Sequence, residues 1–155
     1  MLTVLDWKRK FFSGTYDLYS GENIVGFIRM KAFSFTSTAE LNSRRLLFKT
    51  KGFWKKLTEI ANPDDESVMG KITFNNWKES GTIEYDNVVY DWKWENFWKT
   101  RLVIMNQGET LIKYSVSAFK GKIDIMKYDE TLILSGMHII NYIRRSRAAA
   151  AAAAS

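Results

Sequence analysis

An internal repeat constrains the fold of this chain more than any other feature of its sequence. A shift of 44 positions aligns residues 25–60 with residues 69–104 without a gap, and nine aligned pairs are identical. Average residue usage would give about two identical pairs. Repetition at a fixed spacing indicates one structural unit that is used twice. The identical pairs are Gly26/Gly70, Ile28/Ile72, Thr38/Thr82, Glu40/Glu84, Lys49/Lys93, Phe53/Phe97, Trp54/Trp98, Lys55/Lys99 and Ile60/Ile104.

Shorter matches flank the two full copies. The five residues that begin at Ser13 resemble the five that begin at Ser80, and the four that begin at Gly121 resemble the four that begin at Gly81. The repeat therefore extends over nearly the whole chain.

Apolar residues alternate with polar ones within each copy, as at Ile28 and Met30 in the first and Ile72 and Phe74 in the second. This spacing is typical of half-buried antiparallel strands. Turn signals rich in Asn, Asp, Gly and Ser separate the strands at five places, near residues 20–23, 42–43, 62–65, 86–87 and 106–108. A β-propeller uses repeats of similar length, but two full copies cannot complete a ring of four blades. We therefore expect a mainly β fold, a closed antiparallel barrel of about twelve strands in two repeat-related halves.

The C-terminal segment departs from the repeat. Asp129 and Glu130 precede an apolar run that ends in Arg144 and Arg145, an order of charges that matches the dipole of a helix at about 130–146. Weakly polar residues at three- and four-residue spacing form one narrow stripe, namely Thr131, Ser135, His138, Tyr142 and Arg145. The apolar stretch is well short of the ~20 residues that span a bilayer, which favours a helix buried in the barrel over a membrane anchor.

Length and composition indicate one domain, residues 1–147, because a chain of 155 residues builds a single ordinary core. The seven alanines of the tail 148–155 specify no packing, so we interpret this tail as a placeholder or an added segment. The absence of cysteine and of a secretory pattern predicts a cytoplasmic protein, with peripheral attachment to a membrane left open. The net charge of +6 favours acidic partners.

Some dozen strands in related halves, followed by one hydrophobic helix, resemble the superfamily of tubby C-terminal domains, phospholipid scramblases and LURP-one-related proteins. The resemblance covers the layout from Gly14 to Arg147. It implies a twelve-stranded barrel around the helix, and binding of a lipid surface or a protein rather than catalysis. It does not extend to the cysteine cluster of palmitoylated scramblases, because this chain has no cysteine.

Repeated Phe-Trp-Lys triplets are the strongest candidate binding site, because they interleave rings and cations at equivalent places. In exposed turns the rings would enter a membrane interface or stack on nucleotide bases, while the cations would meet phosphate groups. The alternative is that Phe and Trp close the ends of the barrel and Lys only solvates the turns. With the basic end of the helix, the candidate residues are Lys51, Phe53, Trp54, Lys55, Lys56, Lys93, Trp94, Phe97, Trp98, Lys99, Arg101, Arg144, Arg145 and Arg147.

Catalytic and metal sites are not predicted. His138 is the single histidine and lies in an apolar helix, so we expect a hydrogen-bonded core residue. Glu40, Glu84 and Asp124 recur at one position of the repeat, and their similar environments favour ion pairs or turn contacts over acid–base chemistry. We expect no cofactor.

The sequence therefore predicts a non-catalytic binding module that docks on an anionic membrane surface or an acidic protein partner. Two alternatives remain open. The chain is a structural subunit of a larger assembly, or it binds nucleic acid.

Overall fold

A computed structural model describes residues 2–11, 13–50, 57–75 and 79–154. They form twelve β-strands and one α-helix, α1, which spans Glu130–Ala154. The strands are β1 Thr3–Arg9, β2 Thr15–Ser20, β3 Asn23–Met30, β4 Ser37–Leu41, β5 Arg44–Thr50, β6 Leu57–Ala61, β7 Val68–Phe74, β8 Ser80–Tyr85, β9 Val88–Trp94, β10 Arg101–Asn106, β11 Glu109–Ser115 and β12 Lys120–Ile125.

The strands form a closed barrel in which each pairs antiparallel with its neighbours along the chain, and β1 pairs with β12 to close the ring. Closure leaves no unpaired sheet edge. Inward-facing residues alternate with outward-facing ones, as in β9, where Tyr90 and Trp92 are buried and Asp91 and Lys93 are exposed. The predicted closed antiparallel barrel of about twelve strands is confirmed.

Each copy of the repeat supplies four strands, so it forms a third of the barrel rather than half. The first copy is β3 to β6 and the second is β7 to β10. The third unit combines both parts of the chain that flank the copies, because β11 and β12 continue through the closing pair into β1 and β2. Each unit pairs one large ring with one small residue across the same two strands, as Phe48 with Ser37, Trp92 with Gly81, and Trp7 with Gly121.

Bulges confirm the equivalence of the three units. The register shifts once in each unit, at Leu18/Tyr19, Ile60/Ala61 and Ile104/Met105. The sequence match of Gly121 to Gly81 is therefore structurally correct. The match of Ser13 to Ser80 is wrong, because the strand after Ser13 is β2, the counterpart of β6 and β10, whereas Ser80 begins β8.

In two of the three units, a buried tryptophan donates a hydrogen bond to a backbone carbonyl of another strand; we call this contact the tryptophan lock. The Trp92 indole N–H donates to the Thr73 carbonyl at 3.0 Å, and the Trp7 indole N–H donates to the Ser115 carbonyl at 3.1 Å. Both rings reach these carbonyls beside a glycine, because a Cβ at Gly81 or Gly121 would collide with the carbonyl and with the indole. The small residue opposite each tryptophan is thus required by close packing.

The lumen is filled by α1. Every residue of its first part, 131–143, is buried, so strands surround the helix on all sides. Asp129 caps the helix by accepting from the Leu132 N–H at 3.2 Å. The predicted start and the buried position are confirmed, but α1 continues beyond residue 146 to Ala154, because alanine is the strongest helix former. Within the described part of the chain, no helix is both long and apolar enough to cross a bilayer.

Gly136 allows the helix to pack closely against β11. The Tyr114 hydroxyl lies beside it and donates to the carbonyls of Leu132 at 3.2 Å and Ile133 at 2.9 Å. A Cβ at position 136 would overlap the hydroxyl and the ring of Tyr114. Burial holds the pKa of Tyr114 well above its usual value, so the hydroxyl remains a donor.

We expect Gly136→Ala to destabilise the protein by about 2 kcal/mol, because the added methyl group overpacks the lumen. In an exposed helix the same change would stabilise by about 1 kcal/mol. Urea unfolding measures the difference. A Tyr114→Leu background should absorb part of the cost in a double-mutant cycle, and stabilisation by Gly136→Ala alone would contradict the packing of α1 against β11.

His138 lies where the first unit departs from the other two. Its Nδ1 is 2.9 Å from the Ser37 hydroxyl and its Nε2 is 3.2 Å from the Thr58 hydroxyl. Its ring stacks on Phe48 at 4.9 Å between centroids. The buried, hydrogen-bonded role predicted for His138 is confirmed, and desolvation lowers its pKa from 6.5 to about 3.

The buried histidine makes stability depend on pH. Between pH 6.5 and about 3 the unfolded chain binds a proton that folded His138 does not, so stability falls as pH falls. Relative to His138→Gln, the native protein should lose about 2 kcal/mol between pH 7 and pH 5. Urea unfolding of both proteins across this window measures the difference. The carboxylates are the same in both proteins, so their contributions to the pH dependence of stability cancel in the comparison. Parallel stability curves would contradict a neutral His138.

Candidate functional site at one end of the barrel

The two ends of the barrel differ in chemistry. In an up-and-down barrel, the connections from odd to even strands lie at one end and those from even to odd strands at the other. We call the first the aromatic end. We call the second, which includes residues 126–129 that lead into α1, the acidic end.

Exposed aromatic rings collect at the aromatic end. Their exposed fractions are 73% for Phe11, 108% for Phe33, 88% for Phe97, 79% for Trp98 and 42% for Phe119. They come from four connections, β1–β2, β3–β4, β9–β10 and β11–β12, and Phe11 stacks on Phe119 at 5.5 Å. Large apolar patches on a soluble surface mark sites of interaction.

Phe33 is held outward by an unfavourable backbone conformation. Its φ of 57° lies in the left-handed region, which bulky residues rarely adopt. The side chain gains no burial in return. Strain of this kind at an exposed ring is typical of functional positions rather than of packing.

The β9–β10 connection presents its rings on a fixed scaffold. Asn96 Oδ1 accepts from the backbone N–H groups of Thr100 and Arg101, both at 3.1 Å. Phe97 and Trp98 meet edge to face at the tip, with their centroids 5.4 Å apart. Ordering these rings on binding would therefore cost little conformational entropy.

The other predicted residues of this repeat copy surround the loop. Lys99 lies 3.5 Å from Glu79, and Arg101 lies 3.1 Å from Glu95. Lys93 points outward from β9, whereas Trp94 packs partly buried against the core with an indole N–H that has no partner among the described residues.

The first copy of the triplet lies outside the described residues. Lys51, Phe53, Trp54, Lys55 and Lys56 belong to the segment that joins Thr50 of β5 to Leu57 of β6. Their predicted role stays a prediction.

The arginines of α1 emerge at the same end and bind the loops there. Arg144 donates to the Tyr16 hydroxyl at 3.2 Å and to the Ala118 carbonyl at 3.3 Å. Arg145 donates to the Ser34 carbonyl at 2.7 Å and to the carbonyl of Lys31. The structure therefore brings the aromatic loop of the second copy and the basic end of the helix to one surface.

Charged residues are also distributed unequally between the acidic end and the aromatic end of the barrel. The connections of the acidic end contain six carboxylates and one lysine, Lys127; the carboxylates are Glu22, Asp64, Asp65, Glu66, Asp86 and Asp129. The described parts of the aromatic-end connections contain two carboxylates, Glu79 and Glu95, and both form ion pairs. The helix arginines add positive charge there. The barrel thus carries opposite charges at its two ends.

Sequence reasoning missed several members of this surface. Phe11 and Phe119 lie in the third unit, where the chain termini divide the repeat. Phe33 was visible only as one half of the aromatic pair Phe33/Trp77. The available signal was that each connection from an odd to an even strand contains Phe or Trp. This pattern can be recognised only after the order of the strands is known.

The prediction of ion pairs for the recurring acids is confirmed at Glu84, whereas Glu40 and Asp124 form no ion pair with a described residue. Glu84 forms an exposed ion pair with Lys71 at 2.9 Å. Such pairs contribute about 0–1 kcal/mol to stability.

These features define a twelve-stranded up-and-down barrel with a helix in its lumen and a basic, aromatic end. No protein-family model, curated protein or solved structure matches the chain.

Proposed function

We propose that this protein is a non-catalytic binding module that docks on an anionic membrane surface through the aromatic end of its barrel. The observation that carries this proposal is the collection of exposed rings and unneutralised cations at one end. The proposal keeps the predicted cytoplasmic location, with attachment at the periphery of a membrane.

The rings supply the apolar part of the binding energy. Trp and other aromatic side chains favour the interfacial layer of a bilayer, where a ring meets the acyl boundary. Phe33, Phe97 and Trp98 are largely exposed, so they can enter this layer without any change in the barrel. Partial burial of each ring contributes on the order of 1 kcal/mol.

The basic residues of the aromatic end supply the long-range electrostatic part of the binding energy. Each basic residue near an anionic surface contributes about 1 kcal/mol, and the acidic end faces away from the membrane in this orientation. The separation of charge along the barrel axis therefore orients the molecule before contact.

The resemblance to the tubby, scramblase and LURP-one-related superfamily points in the same direction. The strand number and the lumen helix agree with the layout that the resemblance implies, but this fold alone does not identify the superfamily. Membership therefore stays a prediction.

We expect the double substitution Phe97→Ser and Trp98→Ser to weaken binding to phosphatidylserine vesicles at least about tenfold, because it removes two exposed rings worth about 1 kcal/mol each. Sedimentation with vesicles of increasing phosphatidylserine content measures the partition. The rings make no core contact, so thermal unfolding should be unchanged.

The matched control is Val68→Ser with Val89→Ser, which removes two exposed apolar side chains near the acidic end. It should bind vesicles like the native protein. Equal binding of the native protein to neutral and anionic vesicles would reject docking on an anionic membrane surface.

Such a result would leave the acidic protein partner and the two other interpretations of the same surface, a structural subunit and nucleic-acid binding, which are separable. Self-association at micromolar concentration would favour a structural subunit. Salt-sensitive binding to a single-stranded oligonucleotide would favour nucleic acid.

A further inference from the structure

A cavity of about 390 Å³ opens at the aromatic end where α1 leaves the barrel. Four arginines line it, one from the end of β1 and three from the helix, together with Asn141, Ala118 and Ala148. The arginines are Arg9, Arg144, Arg145 and Arg147. This volume is within the range of sites that hold small molecules.

The positive charge of this cavity has no carboxylate to balance it among the described residues. Neither Asp nor Glu occurs in the lining, and none of the four arginines forms an ion pair with a described residue. Residues outside the described ranges contain no Asp or Glu either. Burial lowers the pKa of Arg145, and the charge of Arg9 acts in the same direction.

Two of the arginines are fixed by the protein itself. Arg144 is held by Tyr16 and the β11–β12 connection, and Arg145 is held by the carbonyls of the β3–β4 connection. Arg9 donates through Nε to the Ser13 carbonyl at 2.9 Å, and this bond leaves its terminal nitrogens available. The side chain of Arg147 is exposed and forms no hydrogen bond with a described residue.

A second basic groove on the outer wall is a weaker candidate for an anion. It encloses about 700 Å³ and includes Lys122 and Arg101 in its lining. Asp6 lies 3.0 Å from Lys122, and Glu95 lies 3.1 Å from Arg101. Its charge is therefore partly neutralised, unlike that of the arginine cavity.

We propose that the arginine cavity binds a phosphomonoester. A phosphomonoester carries close to two negative charges at pH 7 and has three terminal oxygens, which suits a cavity lined by four arginines. A carboxylate or a phosphodiester brings one charge and fewer acceptors. Since the cavity opens among the exposed rings, the ligand that fits this position best is a lipid headgroup, and in that form the inference rests on the proposed function.

The experiment compares phosphatidic acid vesicles, which present a phosphomonoester, with phosphatidylserine vesicles adjusted to the same zeta potential. We expect the full-length protein to bind phosphatidic acid at least about tenfold more tightly. Arg147→Gln and Arg9→Gln should each lose most of this preference, because each should weaken binding to phosphatidic acid more than binding to phosphatidylserine. Arg147→Gln is the more direct variant, because its side chain is exposed and its loss leaves the barrel intact.

Arg45→Gln is the matched control, because it makes the same change in charge near the acidic end, where Arg45 pairs with Asp64 at 3.2 Å. It should keep the full preference for phosphatidic acid. An equal loss in Arg45→Gln and Arg147→Gln would overturn the assignment to the cavity, because it would show an effect of net charge alone.

Glycerol 3-phosphate in solution separates this inference from membrane docking. Calorimetric binding that Arg147→Gln abolishes would support the cavity even if no vesicle binds, and would identify a free phosphomonoester as sufficient. Preference for phosphatidic acid without binding of glycerol 3-phosphate would support the headgroup at a surface. Absence of both effects would overturn the phosphomonoester site.

Discussion

The structure depends on filling a lumen that its own strands cannot fill. Inward side chains just fill a barrel of about eight strands, whereas a ring of twelve leaves a wider interior. The helix α1 occupies this space, and its residues 131–143 are buried on every side. Gly136 beside Tyr114 shows how closely the two parts fit. The barrel and the helix therefore form a single core.

Filling a nearly threefold lumen with one asymmetric helix requires one unit to differ from the others. Trp7 and Trp92 lock two units, but the equivalent residue of the first unit is the smaller Phe48. The space is used by His138, which stacks on Phe48 and meets Ser37 where the other units have glycine. The lone histidine is thus part of the packing that fixes the rotation of α1 in the barrel.

The sequence predicts the parts of this fold that have local signals. Five turns were recognised, and all lie at the acidic end, where residues such as Asn42 and Gly108 adopt positive φ. The opposite connections escaped recognition because Phe and Trp interrupt their turn residues, such as Gly14 and Asn96. The arginine cavity was beyond prediction, because Arg9 and Arg147 are brought together only by closure of the ring.

The arginines of α1 lie at the aromatic end because the number of strands is even and because the buried part of the helix is about as long as the lumen. With an even number of strands, β1 begins and β12 ends at the same end, so a helix that follows β12 must enter there and leave at the opposite end. The 13 buried residues of α1 cover roughly 20 Å. A tilted strand of six or seven residues covers a similar distance. After Glu130 at its start, the next charged residue of the helix is therefore Arg144, where the lumen ends and the aromatic loops open to solvent.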